Sequence, residues 1–463
     1  MERIETTSTR LPVQNATKSF WRRVPHKLDN HQSVEKLPAH CDVIIIGSGY
    51  AGVATAYHLL KSAPATNVVM LEAREVCSGA TGRNGGHLRP DYTSLSARFC
   101  ERYGSEAASA VVRFEKAHIG AIKQLIEEEG IDCDFAETKS FDVFTTVEEA
   151  AAARAKYDML CAQPTFTSLM ADVEFYEGDN APERTGVTDA KAYFSVPAAH
   201  LWPYKLITAL LSRAIELGLC LKTKTPVLSI KQDVISKPDS KVIHRITTPN
   251  GEITANTIIM ATNAYTSALL PEYAAAIVPC KGLVCHISHG EDATLPPLKT
   301  SSFCLRLNHG RLPAYNYLIQ RTDGTIVVGG AHHTYKPDTG SWYGNVDDST
   351  LIKPARDYYD DFMNRTFSGW EDVKANIDCS WTGIMAYSAD SLPHVGPVPD
   401  REGVFILAGF NGHGMPVIYL AAKSVAEMIC EEKTYEQTGL PPPYLSSPER
   451  LNPRFDDILG TKV

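Results

Sequence analysis

A glycine-rich turn, GSGYAG (residues 47–52), follows the apolar run Val43 to Ile46 and precedes a stretch with helical periodicity. Gly47 permits a tight turn, Gly49 lets the backbone approach a ligand closely, and Gly52 allows close packing of helix on strand. A helix that begins at such a turn presents backbone N–H groups to an anion. Residues of these types at this spacing bind the pyrophosphate of a dinucleotide.

An acidic residue stands at the end of the next predicted strand, where a ribose would lie. Glu72 follows the apolar run that starts at Val68 and comes about 20 residues after Gly52. A carboxylate at this place accepts hydrogen bonds from a ribose diol. The glycine pattern alone also fits a turn in an ordinary α/β protein, and Glu72 makes the dinucleotide site the better interpretation.

Two more glycine-rich loops favour a flavin dinucleotide. SGATGRNGGH (residues 78–87) offers amides, a hydroxyl and a guanidinium to phosphates, and small residues where a flat ring could approach. FNGHGMP (410–416) lies between an apolar strand, Phe405 to Ala408, and a predicted helix, Val417 to Ile429. That helix N-terminus would stabilise negative charge on a reduced flavin. The alternative is that the glycines only cap the helix.

The elements that position these loops begin with a β-α-β unit. The pattern predicts a strand from Val43 to Ile46, a helix from Ala51 to Lys61 and a second strand from Val68 to Glu72. The tripeptide PNG joins strands 242–247 and 253–255 and is a strong hairpin signal.

Later segments predict a hairpin and two outer helices. Residues 315–333 are predicted to form two strands around a turn at Asp323-Gly324. The stretches 103–130 and 146–161 are rich in Ala and Glu and are predicted to be outer helices.

Composition limits the class of ligand. The chain has 463 residues, 44% hydrophobic content and a net charge of -9, which disfavours nucleic acid or an anionic membrane as partner. Eleven cysteines without a C-x-x-C pair indicate free thiols in a reducing compartment and no metal site. No apolar run reaches the roughly 18 residues of a membrane span. We expect a cytoplasmic protein with a small-molecule ligand, and a polar arm that docks through Phe20 and Trp21.

On these motifs the chain resembles the D-amino-acid oxidase superfamily of flavoproteins. The resemblance runs from residue 41 to about 429 and includes TPVLSI (225–230), TIIMATNAYT (257–266) and WTGIMAYSADSLPHVG (381–396). It implies an α/β fold with a Rossmann-like FAD-binding domain, made of a parallel sheet plus a β-meander. It also implies a discontinuous α+β substrate domain with a mixed or antiparallel sheet.

The resemblance divides the chain into four parts. They are an N-terminal arm (1–39), the FAD-binding domain (40–95, 200–275 and 376–440), the substrate domain (96–199 and 276–375) and a C-terminal tail (441–463).

The motifs and the resemblance together imply a set of FAD-contacting residues, which lie in the glycine-rich turns, at the ribose position and in the segments flanking the adenine. They are Gly47, Ser48, Gly49, Tyr50, Ala51, Gly52, Glu72, Ala73, Arg74, Ser78, Ala80, Thr81, Arg83, Asn84, Gly85, Gly86, His87, Leu88, Val227, Ala261, Thr262, Asn263, Gly383, Asn411, Gly412, His413, Gly414 and Met415.

The candidate catalytic residues are His87, Tyr317 and Lys281. His87 closes the loop that meets the ring, where it would act on substrate or a proton, or only hydrogen-bond the cofactor. Tyr335 is a weaker candidate for the substrate site. Arg89 would pair with a substrate carboxylate or with an acidic residue of the protein itself.

Three positions depart from the sarcosine oxidases of this superfamily. Gly383 stands where they attach flavin to a cysteine, so we expect non-covalent FAD. Val327 and Pro416 stand where they carry lysines, which leaves the electron acceptor open.

We expect oxidation of the C–N bond of an amine or amino acid to an imine, with O2 reoxidising the flavin and releasing H2O2. One alternative is an FAD-dependent dehydrogenase of a hydroxy acid or polyol with a different acceptor. Another is a non-enzymatic module that has kept the flavin site.

Overall fold

The computed structural model describes residues 11–233, 242–289, 298–308 and 314–462. In chain order its strands are β1 (His40–Ile46), β2 (Val68–Leu71), β3 (His87–Leu88), β4 (Ala136–Phe144), β5 (Glu174–Glu177), β6 (Ala192–His200), β7 (Cys220–Lys222), β8 (Ser229–Asp233), β9 (Ile243–Thr248), β10 (Gly251–Met260), β11 (Ile277–His289), β12 (Ser302–Leu307), β13 (Ala314–Gln320), β14 (Ile326–Gly330), β15 (Ala375–Ser388), β16 (His394–Pro397), β17 (Val404–Ala408), β18 (Phe455–Asp456) and β19 (Thr461–Lys462). The α-helices are α1 (Tyr50–Ser62), α2 (Ser94–Tyr103), α3 (Ser105–Glu129), α4 (Val147–Cys161), α5 (Ala181–Thr185), α6 (Pro203–Glu216), α7 (Lys353–Tyr358), α8 (Phe362–Thr366), α9 (Ile418–Cys430) and α10 (Pro448–Leu451).

The first sheet has the strand order β16-β17-β10-β1-β2-β7. Neighbours from β17 to β7 are parallel, whereas β16 is antiparallel to β17. Helices α6 and α9 pack on α1 over one face of this sheet. Because both faces are covered, its central strands are continuous apolar runs rather than alternating ones.

A meander of β8, β9 and β10 extends the first sheet. Thr248 pairs with Gly251 across the turn that the PNG signal predicted. The meander packs its apolar side on the sheet face opposite α1, where Ile246 and Ile253 are fully buried.

The second sheet has the order β15-β11-β14-β13-β12-β4-β6-β3, with β5 on the outer side of β6. All its neighbours are antiparallel except β12 and β4, which are parallel. Helix α4 packs on β4 and β6 of this sheet, and α2 packs on both α3 and α4. The helices predicted in residues 103–130 and 146–161 are therefore present as α3 and α4. The predicted fold class, a nucleotide-binding α/β unit beside a mixed sheet, is confirmed.

Strand β15 lies in the second sheet, beside β11. Its residues pair with β11 along the whole strand, from Ser388 opposite Ile277 to Ala375 opposite His289. Residues 376–388 therefore belong to the second sheet, although we had grouped them with the FAD-binding domain. The chain crosses from one sheet to the other only after Ser388.

Residues 11–39 of the N-terminal arm lie against the body of the protein. Phe20 and Trp21 are only 5% and 1% exposed, which confirms the prediction that these rings dock. Trp21 makes edge contacts with the rings of Phe20 and Trp202. None of the helices in the described ranges is long and apolar enough to cross a membrane.

Candidate active site

A cavity of about 490 Å³ lies between the two sheets. On one side it meets the carboxyl ends of β1, β2 and β10, which share one edge because the strands are parallel. On the other side it is lined by residues of β3 and of β11 to β15. Ligands of open α/β sheets bind at such carboxyl ends.

Most of the predicted site residues meet in this cavity. Those that line it are Gly47, Gly49, Tyr50, Ala51, Glu72, Ala73, Arg74, Ser78, Ala80, Thr81, Arg83, Asn84, Gly85, His87, Val227, Ala261, Thr262, Asn263, Tyr317, Gly383, Asn411, Gly412, His413, Gly414 and Met415. Those that the structure does not bring to the lining are Ser48, Gly52, Gly86, Leu88 and Lys281.

The first glycine turn is formed by close backbone approaches. Gly47 has φ +108°, and a Cβ there would lie 2.7 Å from the carbonyl oxygen of Ala261. A Cβ at Gly52 would overlap the carbonyl oxygen of Gly47. Helix α1 starts directly after Gly49, which supplies no side-chain cap. The turn therefore has the geometry of a dinucleotide-binding turn, with a helix N-terminus at the cavity.

Glu72 is held at the cavity by three donors. Its Oε2 accepts hydrogen bonds from Ser48 N at 2.9 Å and Ser48 Oγ at 2.7 Å, and its Oε1 accepts from Arg74 N at 2.8 Å. Ser48 thus positions the carboxylate instead of lining the cavity itself. The carboxylate is fixed at the end of β2, where a ribose would be bound.

Two arginines of the nucleotide region are tied to one aspartate that the sequence patterns did not single out. Asp348 lies 3.0 Å from Arg74 Nη1 and 3.5 Å from Arg83 Nε, and all three side chains are buried. Arg83 also donates to the carbonyl oxygens of Ser78 at 2.7 Å and Thr382 at 2.8 Å. Burial lowers the pKa of Arg83 to about 10, against the opposing effect of Asp348.

This network gives Arg83 a structural role. Its guanidinium joins the second glycine loop to β15. The loop is thereby fixed between the two sheets.

The cavity wall leaves polar atoms available to a dinucleotide. Ser78 Oγ and Tyr265 OH are buried, line the cavity and have no hydrogen-bond partner among the residues that the structure describes. Buried polar groups are seldom left unpaired in native proteins, so a bound ligand would satisfy them. Together with the glycine turn and Glu72, these atoms fit FAD.

His413 of the glycine-rich loop 410–416 lines the cavity and pairs with a buried carboxylate behind it. His413 Nε2 lies 2.9 Å from Glu115 Oε2 of α3, and Glu115 also accepts from Asp91 N at 2.8 Å. Burial disfavours the charged imidazolium, but Glu115 outweighs it and raises the pKa of His413. Glu115 was missed because α3 had the pattern of an outer helix, which gives no sign of a buried carboxylate.

The substrate half of the cavity is a face of the second sheet. Cys304 and Arg306 alternate along β12 on that face, beside Tyr315 and Tyr317 of β13. Arg306 Nη2 donates to Ser94 Oγ at 3.1 Å, and its guanidinium carbon lies 5.4 Å from the Tyr315 ring centroid. Arg306 was not predicted as a site residue, because a single arginine in a strand is usually a solvated edge residue.

The two arginines of this half differ in their partners. Arg89 is buried in an ion pair with Asp142 of β4, so the protein supplies its carboxylate. Arg306 has no carboxylate partner in the described part of the chain. Arg306 is therefore the guanidinium that remains available to an anionic ligand.

His87 lies where the nucleotide half of the cavity, which the glycine-rich loops line, meets the substrate half. Its Nε2 is hydrogen-bonded to Ser302 Oγ of β12. Burial and the nearby Arg89 lower the pKa of His87 well below its ordinary value, so the imidazole is neutral near pH 7. A neutral histidine can exchange hydrogen bonds with a ligand without placing a charge in the cavity.

Lys281 and Tyr335 lie outside the lining. Lys281 Nζ donates to Thr350 Oγ1 at 2.7 Å, and burial lowers the pKa of this lysine. Tyr335 is buried behind the cavity wall. Tyr317 does line the cavity, and a Cβ at Gly85 or Gly329 would overlap its ring.

Comparison with known proteins agrees with this site. The family model described as FAD dependent oxidoreductase matches residues 42–428. Gamma-glutamylputrescine oxidoreductase of Escherichia coli (strain K12) is 26% identical over 398 residues, covering 84% of this chain and 83% of that protein. Glycine oxidase of Geobacillus kaustophilus (strain HTA426) is 23% identical over 397 residues, covering 85% and 94%.

The fold has counterparts among solved structures. The crystal structure of glycine oxidase from Geobacillus kaustophilus superposes with a TM-score of 0.69 at 20% identity, covering 89% of this chain and 100% of that one. The resemblance to flavoproteins is thus confirmed by a match that spans most of the chain. The protein belongs to the family of FAD-dependent oxidoreductases.

Proposed function

We propose that the protein oxidises the C–N bond of an amine or amino acid to an imine, with non-covalently held FAD, and that O2 reoxidises the flavin. The observation that supports this most is that one cavity extends from the glycine-rich loops to the face of the second sheet that carries Arg306. Bound FAD supplies the hydride acceptor for the carbon next to nitrogen. Water then hydrolyses the imine to a carbonyl compound and the released amine.

Charge in the substrate half favours an amine that also carries a carboxylate. Arg306 presents a guanidinium without an acidic partner in the described residues, and guanidinium binds carboxylate in a two-pronged geometry. Glycine and gamma-glutamylputrescine, which appear in the names of the two relatives, are both amines.

The cavity also favours the neutral form of the amine, which is the form that can release hydride. Alkylamines have a pKa near that of lysine, about 10.4. Burial in the cavity and the charge of Arg306 disfavour an added positive charge, so the bound amine loses its proton at lower pH. His87, being neutral, can accept the hydrogen bond of the amine N–H, and no strong base is required.

The substrate that reduces the flavin and the acceptor that reoxidises it can be identified separately. Under argon, the protein is mixed with 4-aminobutyrate, butylamine, glycine, lactate and glycerol, and bleaching of the flavin absorbance is recorded. In air, H2O2 and the carbonyl product are quantified, with a soluble quinone under argon as the alternative acceptor. We expect bleaching by amines and H2O2 in air. Bleaching by lactate or glycerol alone, with turnover only on quinone, would replace the proposal by the hydroxy-acid dehydrogenase.

Non-covalent attachment has its own test. The cysteine that lines the cavity is Cys304 of the second sheet, whereas Cys379 donates its Sγ–H to Lys18 O at 3.5 Å. We expect acid precipitation to release all flavin into the supernatant. Yellow flavin in the washed pellet would contradict it.

A further inference from the structure

Residues 11–22, which we call the docked arm, lie against the second glycine loop, residues 78–87. The family model matches residues 42–428, so the docked arm lies before the matched segment. The loop lines the cavity on one side and contacts the docked arm on the other. The arm is thus in a position to control the shape of the cofactor site.

Trp21 fixes the middle of the loop. Its indole Nε1 donates to the carbonyl oxygen of Asn84 at 2.6 Å, and its ring lies 3.1 Å from where a Cβ of Gly86 would be. Trp202 Nε1 in turn donates to Trp21 O at 2.9 Å. The loop backbone therefore rests on a buried aromatic platform rather than on solvent.

Thr17 joins the arm to the buried charge network. Its Oγ1 accepts from Arg83 Nη1 at 3.1 Å and from Thr382 N at 3.0 Å. Thr17 N and Oγ1 both donate to the carbonyl oxygen of Asp348, at 2.8 and 3.0 Å. One hydroxyl thus links the arm, the second glycine loop and β15.

The start of the docked arm reaches the cavity itself. Leu11 and Pro12 line it. The next carbonyl, Val13 O, accepts from Arg74 Nη1 at 3.0 Å, and Arg74 N donates to the ribose-position carboxylate of Glu72. The arm therefore borders the nucleotide half directly and also through the loop.

We propose that the docked arm is part of the FAD-binding site, so that arm docking and FAD binding stabilise each other. A ligand that binds only when a segment is ordered must also favour the ordered segment, because coupling between two binding events is reciprocal. Arm docking holds residues 78–87 in place, and FAD contacts the opposite side of that loop. The proposal depends on FAD as cofactor and is independent of the substrate.

The rate at which the holoenzyme releases FAD tests whether arm docking stabilises bound FAD. Thr17→Val keeps the side-chain shape and removes the hydroxyl, and Trp21→Phe keeps a ring and removes the indole N–H. We expect each to release FAD about 5-fold faster or more, measured as the rise of flavin fluorescence after dilution. Val24→Ala, two residues after the docked arm at a residue that is 81% exposed, is the matched control. Wild-type release rates in both variants would overturn the proposal.

Hydrogen exchange of the docked arm tests whether bound FAD stabilises the docked arm. We expect peptides covering residues 11–22 to exchange more slowly in the holoenzyme than after FAD has been removed. Residues 448–462 of the C-terminal tail are the internal control. They dock through contacts such as Arg102 with Asp457 and do not line the cavity. Equal protection of arm and tail by FAD would contradict a specific coupling.

Discussion

The two halves of the cavity are built by different means. In the nucleotide half the decisive contacts are between backbone atoms, as where Gly52 fits against Gly47. In the substrate half they are between side chains from separate strands, as where Arg89 pairs with Asp142. Backbone turns are encoded by a few adjacent residues, whereas a side-chain cluster depends on the whole sheet. The nucleotide half is therefore suited to one cofactor, and the substrate half can change its ligand by exchanging single side chains.

The largest effect is expected from filling the closest backbone approach. Gly52→Ala places a methyl group on the carbonyl of Gly47, and overpacking of this kind costs on the order of 3 kcal/mol or more. We expect little flavin in the purified protein and a lower denaturation midpoint. Gly120→Ala in α3, where a Cβ meets nothing, is the control and should keep its flavin. A normal flavin content in the Gly52 variant would refute the steric interpretation.

Removing the ribose-position carboxylate comes next. Glu72→Ala leaves Ser48 N and Arg74 N without their acceptor and removes a charged partner of the ribose, which costs roughly 1.5–3 kcal/mol. We expect FAD affinity to fall about tenfold or more, as measured by titration of FAD-depleted protein. Glu75→Ala, three residues away and outside the cavity lining, is the matched control. Equal affinities would exclude Glu72 from the site.

These two predictions rest on parts of the site that the sequence reveals. The β-α-β unit and the turn at Gly47 are local, because strand, turn and helix follow one another within twenty-odd residues. Asp348, by contrast, lies 274 residues from Arg74, and no motif surrounds it. The pairing of β15 with β11 was not predictable, because it depends on tertiary packing, which single-strand patterns do not encode.

The substrate half was less predictable for the same reason. Arg306 lines the cavity because β12 turns that face inward, and Glu115 of α3 contacts His413, which also lines it. The sequence did identify His87 and Tyr317, which line the cavity, but it also favoured Lys281, which binds Thr350 instead. Their catalytic roles remain predictions.

Changing Arg306 should affect substrate binding and leave the cofactor in place. With 4-aminobutyrate or another turned-over carboxylate-bearing amine, we expect Arg306→Gln to raise KM about tenfold, the effect of losing one charge-assisted hydrogen bond. The kcat should change much less, and Arg306→Lys should lie between. Arg154→Gln, on the exposed face of α4, is the control. An unchanged KM would show that the substrate anion binds elsewhere.

The smallest effect concerns the ion pair of His413 with Glu115. Burial opposes the charge, yet Glu115 raises the pKa of His413 above its unfolded value of about 6.5. The stabilisation is therefore fully present below that pH and is lost as pH rises through the folded pKa. We expect His413→Gln to be less stable than wild type by up to about 1.5 kcal/mol at pH 6, with the difference shrinking at pH 9.

Urea denaturation at several pH values measures this difference directly. His40→Gln, at an exposed position at the start of β1, serves as the control and should show no comparable pH trend. A difference that grows with pH would mean that His413 is held neutral in the folded protein.

The central claim is that one cavity joins FAD to an amine whose neutral form is oxidised. Anaerobic stopped-flow mixing of the holoenzyme with an amine substrate and with its hydroxyl analogue, from pH 6 to 10, tests it most directly. We expect flavin bleaching by the amine to accelerate with pH through a single ionisation and the hydroxyl analogue to be inert. Bleaching by the hydroxyl analogue but not by the amine, at a rate that does not depend on pH, would contradict it.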